Sequence, residues 1–204
     1  PTLFPYRRLV RVAEPRDPAL QDPGKCIGPV YTAAQATDLA AEKGWIMKKD
    51  GTGFRRVVPS PAPLAISESA AINTLLLHDH LVICNGGGGI PVVQTGQTMT
   101  GCEAVIDKDL SAALLARQLQ ADALLILTDA DAVYRNWGTP SQEAIGQVTV
   151  SALAGTSFDA GSMGPKVDAC CQFVRTSGGH AGIGSLQDGS RILCGQKGTL
   201  IIPG

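Results

Sequence analysis

The sequence predicts an α/β fold: a three-layer αβα sandwich with a mostly parallel central sheet, helices on both faces and a small protruding lobe. Three observations carry this reading. Continuous apolar runs, Leu81-Val82-Ile83-Cys84 and Leu124-Leu125-Ile126-Leu127, lack the alternation of half-exposed strands and have the length of strands buried on both faces. Between and beyond them lie segments with apolar residues at helical spacing: Leu110, Leu114, Leu115 and Leu119, then Val167, Cys170, Cys171 and Val174. The 24 glycines and 13 prolines sit at punctuation points rather than in a repeat, as an α/β chain with many tight strand-to-helix loops requires.

Taken in order, Leu9-Val10-Arg11-Val12 is a short strand candidate, followed by a loop crowded with Pro15, Pro18, Pro23 and Pro29. Thr32 and Gln35 form a capping box, and the helix they open runs through Ala40 to a stop at Gly44. Two β-prone runs, 45–49 and 54–58, flank Asp50-Gly51-Thr52-Gly53 and predict a hairpin. Pro59, Pro61 and Pro63 then force an extended linker. Residues 1–19 thus begin the main body, 20–62 make the lobe, and 63–204 form the rest of the α/β body. From Ser67 onward, Ile72, Leu75 and Leu76 mark a helix with His78 and His80 at its surface end. A buried strand, Leu81 to Cys84, ends at Asn85. Glu103-Ala104-Val105-Ile106 leads as a strand into Asp107-Lys108-Asp109 and the Leu110 helix. Last come the Leu124 strand and the Val167 helix, with Gly178 past its end.

Composition excludes several functions. Seventeen basic residues against eighteen acidic ones leave a net charge of -1 with no basic stripe, so neither nucleic acid nor a membrane surface is an expected partner. Apolar runs such as 123–127 are far too short to span a bilayer. None of the six cysteines forms a C-x-x-C pair. Unpaired thiols and the lack of a signal-peptide pattern point to a reducing cytoplasm. His78, His80 and His180 share no zinc-ligand spacing with any cysteine, so no metal ligands are assigned. The chain starts at Pro1 without a methionine, which reads as a fragment.

Three stretches carry chemistry. Gly86-Gly87-Gly88-Gly89 follows a strand, where backbone amides without side chains can approach a phosphate; a tight turn is the plain alternative. It is not a P-loop, because Ile90-Pro91-Val92 follows instead of Gly-Lys-Ser/Thr. Nor is it a dinucleotide fingerprint, because Pro91-Val92-Val93 prefers extended chain to a helix. In Asp107-Lys108-Asp109 the lysine stands at a helix N-terminus where a polyanion is favoured. One carboxylate can cap the helix and the other hold the lysine or Mg²⁺; an exposed capped turn is the alternative. Gly161-Ser162-Met163-Gly164-Pro165-Lys166 repeats this grammar before the Val167 helix, where a solvated first-turn lysine is the alternative. Two lysines at helix starts and a glycine loop converge on phosphoryl transfer, which needs positioning and charge neutralisation above all.

These stretches resemble the carbamate kinases of the amino-acid kinase family. The matching motifs include Lys25-Cys26-Ile27-Gly28-Pro29, Arg55-Arg56-Val57-Val58-Pro59-Ser60-Pro61 and the Gly86–Val92 and Glu103–Leu110 runs. Leu127-Thr128-Asp129-Ala130-Asp131-Ala132-Val133-Tyr134 and Gly161–Lys166 complete the set, in family order over nearly the whole chain. Lys48-Lys49-Asp50-Gly51 and Asn136-Trp137-Gly138 look more like the branch linked to allantoin and oxamate breakdown.

The resemblance implies reversible phosphoryl transfer between carbamoyl phosphate and ADP, giving ATP and carbamate with Mg²⁺, in a cytoplasmic homodimer of arginine or purine breakdown. It implies catalytic roles for Lys25, Lys108, Lys166 and Asp109. Lys108 and Lys166 would neutralise phosphates, Lys25 would reach in from the closing lobe, and Asp109 would orient a lysine or a metal-bound water. It also implies a nucleotide pocket of Asp129, Tyr134, Met163, Gly164 and Pro165, and a substrate floor of Gly86 to Gly89.

Two family features depart. A Gly-Gly-Asn loop after the first strand and a later His-Gly-Asn-Gly segment do not occur, so the chain corresponds to the second part of such a protein. In addition, Asp50–Gly53 replaces a longer Gly-rich turn carrying an arginine. A catalytically incomplete nucleotide-binding subunit is therefore the alternative reading. Within the fold, the rival is a kinase for an amino-acid carboxylate or a nucleotide monophosphate.

Overall fold

The computed structural model describes residues 3–6, 9–12, 18–84, 86–159 and 162–204, so Pro15, Asn85 and Gly161 lie outside the described residues. The chain divides into two compact units, Pro1–Lys108 and Asp109–Gly204.

In the first unit the capping box forms as expected. The Thr32 hydroxyl accepts the Gln35 N–H at 3.3 Å, and the Gln35 side chain accepts the Thr32 N–H at 3.0 Å. The resulting helix, Ala33–Lys43, ends at Gly44 in the left-handed conformation (φ 65°). The hairpin also forms, as strands Met47–Asp50 and Gly53–Val58 closing on an Asp50–Gly53 pair. Its third strand, Lys25–Tyr31, was expected to be loop and instead pairs antiparallel with Gly53–Val58. Pro29 is tolerated there because it falls where the register shifts between Ile27 and Tyr31. Pro18 likewise opens a short helix, Pro18–Gln21, where its missing N–H is no loss.

The proline linker is also more ordered than expected. Pro63 starts an edge strand, Pro63–Ile66, antiparallel to Leu9–Val12. Leu9–Val12 runs parallel to Ile90–Thr95, which folds back on Thr98–Gly101. Val10, Val57, Val58, Ile66, Ile72, Val92 and Ile106 are buried in this unit. Two expectations need correction. Leu81–Cys84 is a strand parallel to Leu3–Tyr6, but Leu81 and Ile83 are 62% and 52% exposed, because that sheet has only two strands among the described residues. Glu103–Ile106 is not a strand; this irregular segment is tied down by the Val105 N–H, which donates to the Pro59 carbonyl at 2.9 Å. The helix Ser69–Leu77 ends at an exposed His78.

The second unit is built on a four-stranded sheet in the order Ala123–Thr128, His180–Ser185, Thr199–Ile202, Gln147–Thr149. Its pairings are parallel, antiparallel and parallel in turn. Parallel and antiparallel pairings are thus mixed in both four-stranded sheets, since short returns such as 96–97 permit only antiparallel neighbours. Helix Met163–Ser177 covers this sheet with Val167, Cys170, Phe173 and Val174, all buried, and stops at Gly178 (φ 72°). Ala113 and Leu114 of helix Lys108–Gln118 are buried as well. A small hairpin, Val133–Arg135 with Glu143–Ile145, is tied to the sheet by buried Thr199, whose hydroxyl accepts the Val133 N–H at 2.9 Å and donates to the Ile145 carbonyl. No described helix is long and apolar enough to cross a membrane.

Candidate active site

In the first unit, Lys25 meets a partner 82 positions away: its Nζ lies 2.8 Å from Oδ2 of Asp107. The Asp107 side chain is only 12% exposed and that of Lys25 39%. The segment bearing Asp107 is held from several sides. Arg56 pairs with Glu103, and the Val105–Pro59 hydrogen bond follows. The glycine run then packs directly on it, for a Cβ at Gly88 would lie 1.9 Å from the Ile106 carbonyl oxygen. This is a close backbone approach that only glycine permits, and it brings the glycine loop against the residue preceding Asp107. Lys108 is exposed at the first position of its helix.

In the second unit, Nζ of Lys166 lies 3.1 Å from Oδ2 of Asp109 and donates to the Ser162 carbonyl at 3.4 Å. The Lys166 side chain is 15% exposed and that of Asp109 8%. Removing either partner of a pair so withdrawn from water would leave the other buried and unpaired, at considerable cost. Asp109 sits in the first turn of the Lys108–Gln118 helix, where a carboxylate suits the dipole. The start of the Met163–Ser177 helix is fixed by Asp159, which accepts the Ser162 hydroxyl at 2.8 Å and, through its carbonyl, the Gly164 N–H at 2.7 Å.

Lys166 faces a cavity of about 810 Å³ whose wall also carries Thr128, Asp129, Tyr134, Trp137 and Met163. That volume suits a mid-sized organic ligand. The Asp129 carboxyl is held below the usual carboxylate range, first by the Thr128 hydroxyl, which donates to it at 2.9 Å, then by backbone N–H groups, with the charge of Lys166 adding to the effect. The Tyr134 phenol is pushed up because it donates to both Asp131 oxygens, at 3.0 and 3.1 Å. Of the residues expected at a nucleotide pocket, the structure gathers Asp129, Tyr134 and Met163 around one cavity together with Lys166. Gly164 and Pro165 stand in the adjoining helical turn and do not line the cavity. Trp137 and Asp159 were not singled out for this site by sequence. Nor was the Lys25–Asp107 pair, for which no local pattern exists. Among the described residues, no group of three or more His, Cys, Asp or Glu side chains is placed to hold a metal ion.

The fold and this cavity define a class. The pattern of the Amino acid kinase family matches residues 22–185, and the chain belongs to that family. Among individual proteins, it is 54% identical over 194 residues to the carbamate kinase of Escherichia coli K12, covering 95% of this chain and 64% of that one. It is 50% identical over 188 residues to the carbamate kinase of Rhizobium meliloti, covering 91% and 58%. A solved structure of the Giardia lamblia carbamate kinase bound to AMP-PNP superimposes with a TM-score of 0.86 at 40% identity, covering 99% of this chain and 66% of that one. The citric acid complex of the same enzyme gives 0.88 at 39% identity, covering 99% and 65%. The chain therefore spans slightly less than two thirds of the length of these relatives, and its α/β fold is theirs.

Proposed function

We propose that the chain acts as a carbamate kinase, transferring a phosphoryl group reversibly between carbamoyl phosphate and ADP. The observation that carries this reading is Lys166, an ammonium group on the cavity wall backed by a carboxylate almost withdrawn from water. Such a fixed cation favours a polyphosphate without reorganising during the reaction. Relatives named carbamate kinases, one of them solved with AMP-PNP, support placing a nucleotide there.

In the proposed reaction a β-phosphate oxygen of ADP attacks the phosphorus of carbamoyl phosphate. The bond from phosphorus to the carbamoyl oxygen breaks, and carbamate leaves as an anion. No proton moves, so the residues act by charge and position. Lys166 and Lys108 neutralise the phosphates, Asp109 holds the Lys166 ammonium, and Lys25 reaches the transferred group from the 20–62 lobe. Gly86 to Gly89 offer backbone amides, and Asp129, Tyr134, Met163, Gly164 and Pro165 serve the nucleotide. Mg²⁺ in such sites takes most of its ligands from phosphates and water and one or two from carboxylates. The ionised Asp129 on the cavity wall fits that limited demand. When bound, Mg²⁺ supplies further neutralisation of phosphate charge. By kinship we also assign a cytoplasmic homodimer serving arginine or purine breakdown.

Formation of ATP from carbamoyl phosphate and ADP, followed in a coupled assay, tests the proposal. Turnover is expected, and Lys166→Ala is expected to lower it by about two orders of magnitude or more with an unchanged circular dichroism spectrum. Absence of turnover in the native chain, or unchanged turnover in the variant, overturns it.

A further inference from the structure

The lobe is tied to the segment that presents Asp107 at every second residue of that segment. Glu103 pairs with Arg56, the Val105 N–H donates to the Pro59 carbonyl, and Asp107 pairs with Lys25. Alternation of this kind sets one side of an extended segment against its partner, while Ile106, in the other set, takes the glycine loop. The lobe is built to match. Lys25 lies opposite Val58, and Ile27 opposite Arg56, in the antiparallel ladder, so Lys25 and Arg56 project from the same face of one sheet as diagonal neighbours.

The Arg56 guanidinium is held before it meets Glu103. Its Cζ stands 4.5 Å from the centre of the half-buried Trp45 ring, and the Lys43 ammonium stands over the same ring at 4.9 Å. A cation over an indole is attracted to the ring face. An isolated surface ion pair contributes little because two long side chains must be immobilised; here the indole has already restrained one of them.

From this arrangement we infer that Arg56 and Glu103 are positioning residues for carbamoyl phosphate: they keep the lobe seated on the Asp107 segment while Lys25 leaves Asp107 for the substrate phosphate. The inference rests on the proposed transfer and on the place of Lys25 in it. A substrate anion that engages Lys25 loosens the Lys25–Asp107 pair, just when the ammonium must be held in position. The Arg56–Glu103 pair then carries the attachment together with the Val105 hydrogen bond. Neither Arg56 nor Glu103 touches substrate in this scheme. Without their pair a smaller fraction of molecules keeps Lys25 in place, and apparent affinity falls by that fraction. Saturating carbamoyl phosphate repopulates the seated form, so the maximal rate is retained.

Steady-state kinetics of ATP formation tests this. Arg56→Gln is expected to raise KM for carbamoyl phosphate about three- to tenfold, with kcat and KM for ADP each within about twofold. KM for ADP is spared because the cavity assigned to the nucleotide is lined by residues of the second unit. The Glu103 side chain is 75% exposed, so changing it leaves the packing intact, and Glu103→Gln is expected to raise the same KM about two- to fivefold. Arg56→Glu sets like charges together and should exceed both. Adding Glu103→Arg to it should return KM to within about threefold of native, a rescue that a merely structural role for Arg56 would not produce. KM for carbamoyl phosphate unchanged in Glu103→Gln or Arg56→Gln, equal rises for carbamoyl phosphate and ADP, or a charge exchange that recovers nothing overturns the inference and leaves the kinase reading standing. A native chain that forms no ATP removes that reading and the inference with it.

Discussion

Asp109, at 8% side-chain exposure, is paired with the Lys166 ammonium 3.1 Å away, and each group would be costly to leave there without the other. A double-mutant cycle on ADP binding exposes this dependence. Lys166→Met should cost much affinity in the native protein and distinctly less after Asp109→Asn, with a coupling of about 1–3 kcal/mol. Additive losses would show that the pair does not act as one unit. The two residues were each legible from sequence, since both sit at loop-to-helix junctions that invite an anion. Their pairing was not, for the contact spans 57 positions and no local spacing encodes it. The same holds for Lys25, whose hydrogen bond to Asp107 exists only once the two segments are brought together by folding. Asp129 differs, because its chief stabiliser is its own neighbour, Thr128, and a carboxylate lowered in this way stays ionised as pH falls through the range where ordinary carboxylates protonate.

Elements whose signals are local were read correctly: the Thr32 capping box, the Asp50–Gly53 hairpin turn, and the helices ending at Gly44 and Gly178. Elements defined by partners far away in sequence were not. Lys25–Tyr31 and Pro63–Ile66 contain prolines that argue against strands, and each exists because an antiparallel neighbour supplies the ladder on a side or at a register shift that a proline does not disrupt. The error at Leu81–Cys84 is one of burial rather than type: an apolar run identifies a strand but not how many layers cover it. The glycine loop joins this scale to the site. Gly88 is wedged against the Ile106 carbonyl, so Gly88→Ala must displace the segment that presents Asp107 to Lys25. Overpacking of this kind typically costs about 1–3 kcal/mol. A lowered urea midpoint is therefore expected, together with a higher KM for carbamoyl phosphate. A variant with native midpoint and KM would show that the loop does not brace the segment.

At the scale of the whole molecule, the chain holds two compact units, and the core of the second contains two neighbouring thiols, Cys170 and Cys171. Burial pushes both thiols up, and for Cys170 the charge of Asp109 pushes in the same direction. The consequence for stability has a definite sign. Below the ordinary thiol pKa of about 8.5, folded and unfolded chains both keep these protons, so pH has no leverage through them. Above it the unfolded chain releases them while the folded chain retains the one on Cys170. The unfolded state then binds fewer protons, and stability falls by about 1.4 kcal/mol per pH unit for a fully retained proton. The side chain of Cys170 is wholly buried, so solvent does not relieve the effect. Urea unfolding under reducing conditions at pH 8 and pH 10 measures it against the background of lysine and tyrosine titration, provided that Cys170→Ala is run beside the native chain. Removing the thiol lowers stability at both pH values by leaving a small cavity, but it also removes one titrating group, so the gap between native and variant should narrow toward pH 10. A gap that stays constant would mean that the folded chain ionises Cys170 as readily as the unfolded one, and that the second unit opens to water far more easily than its packing implies.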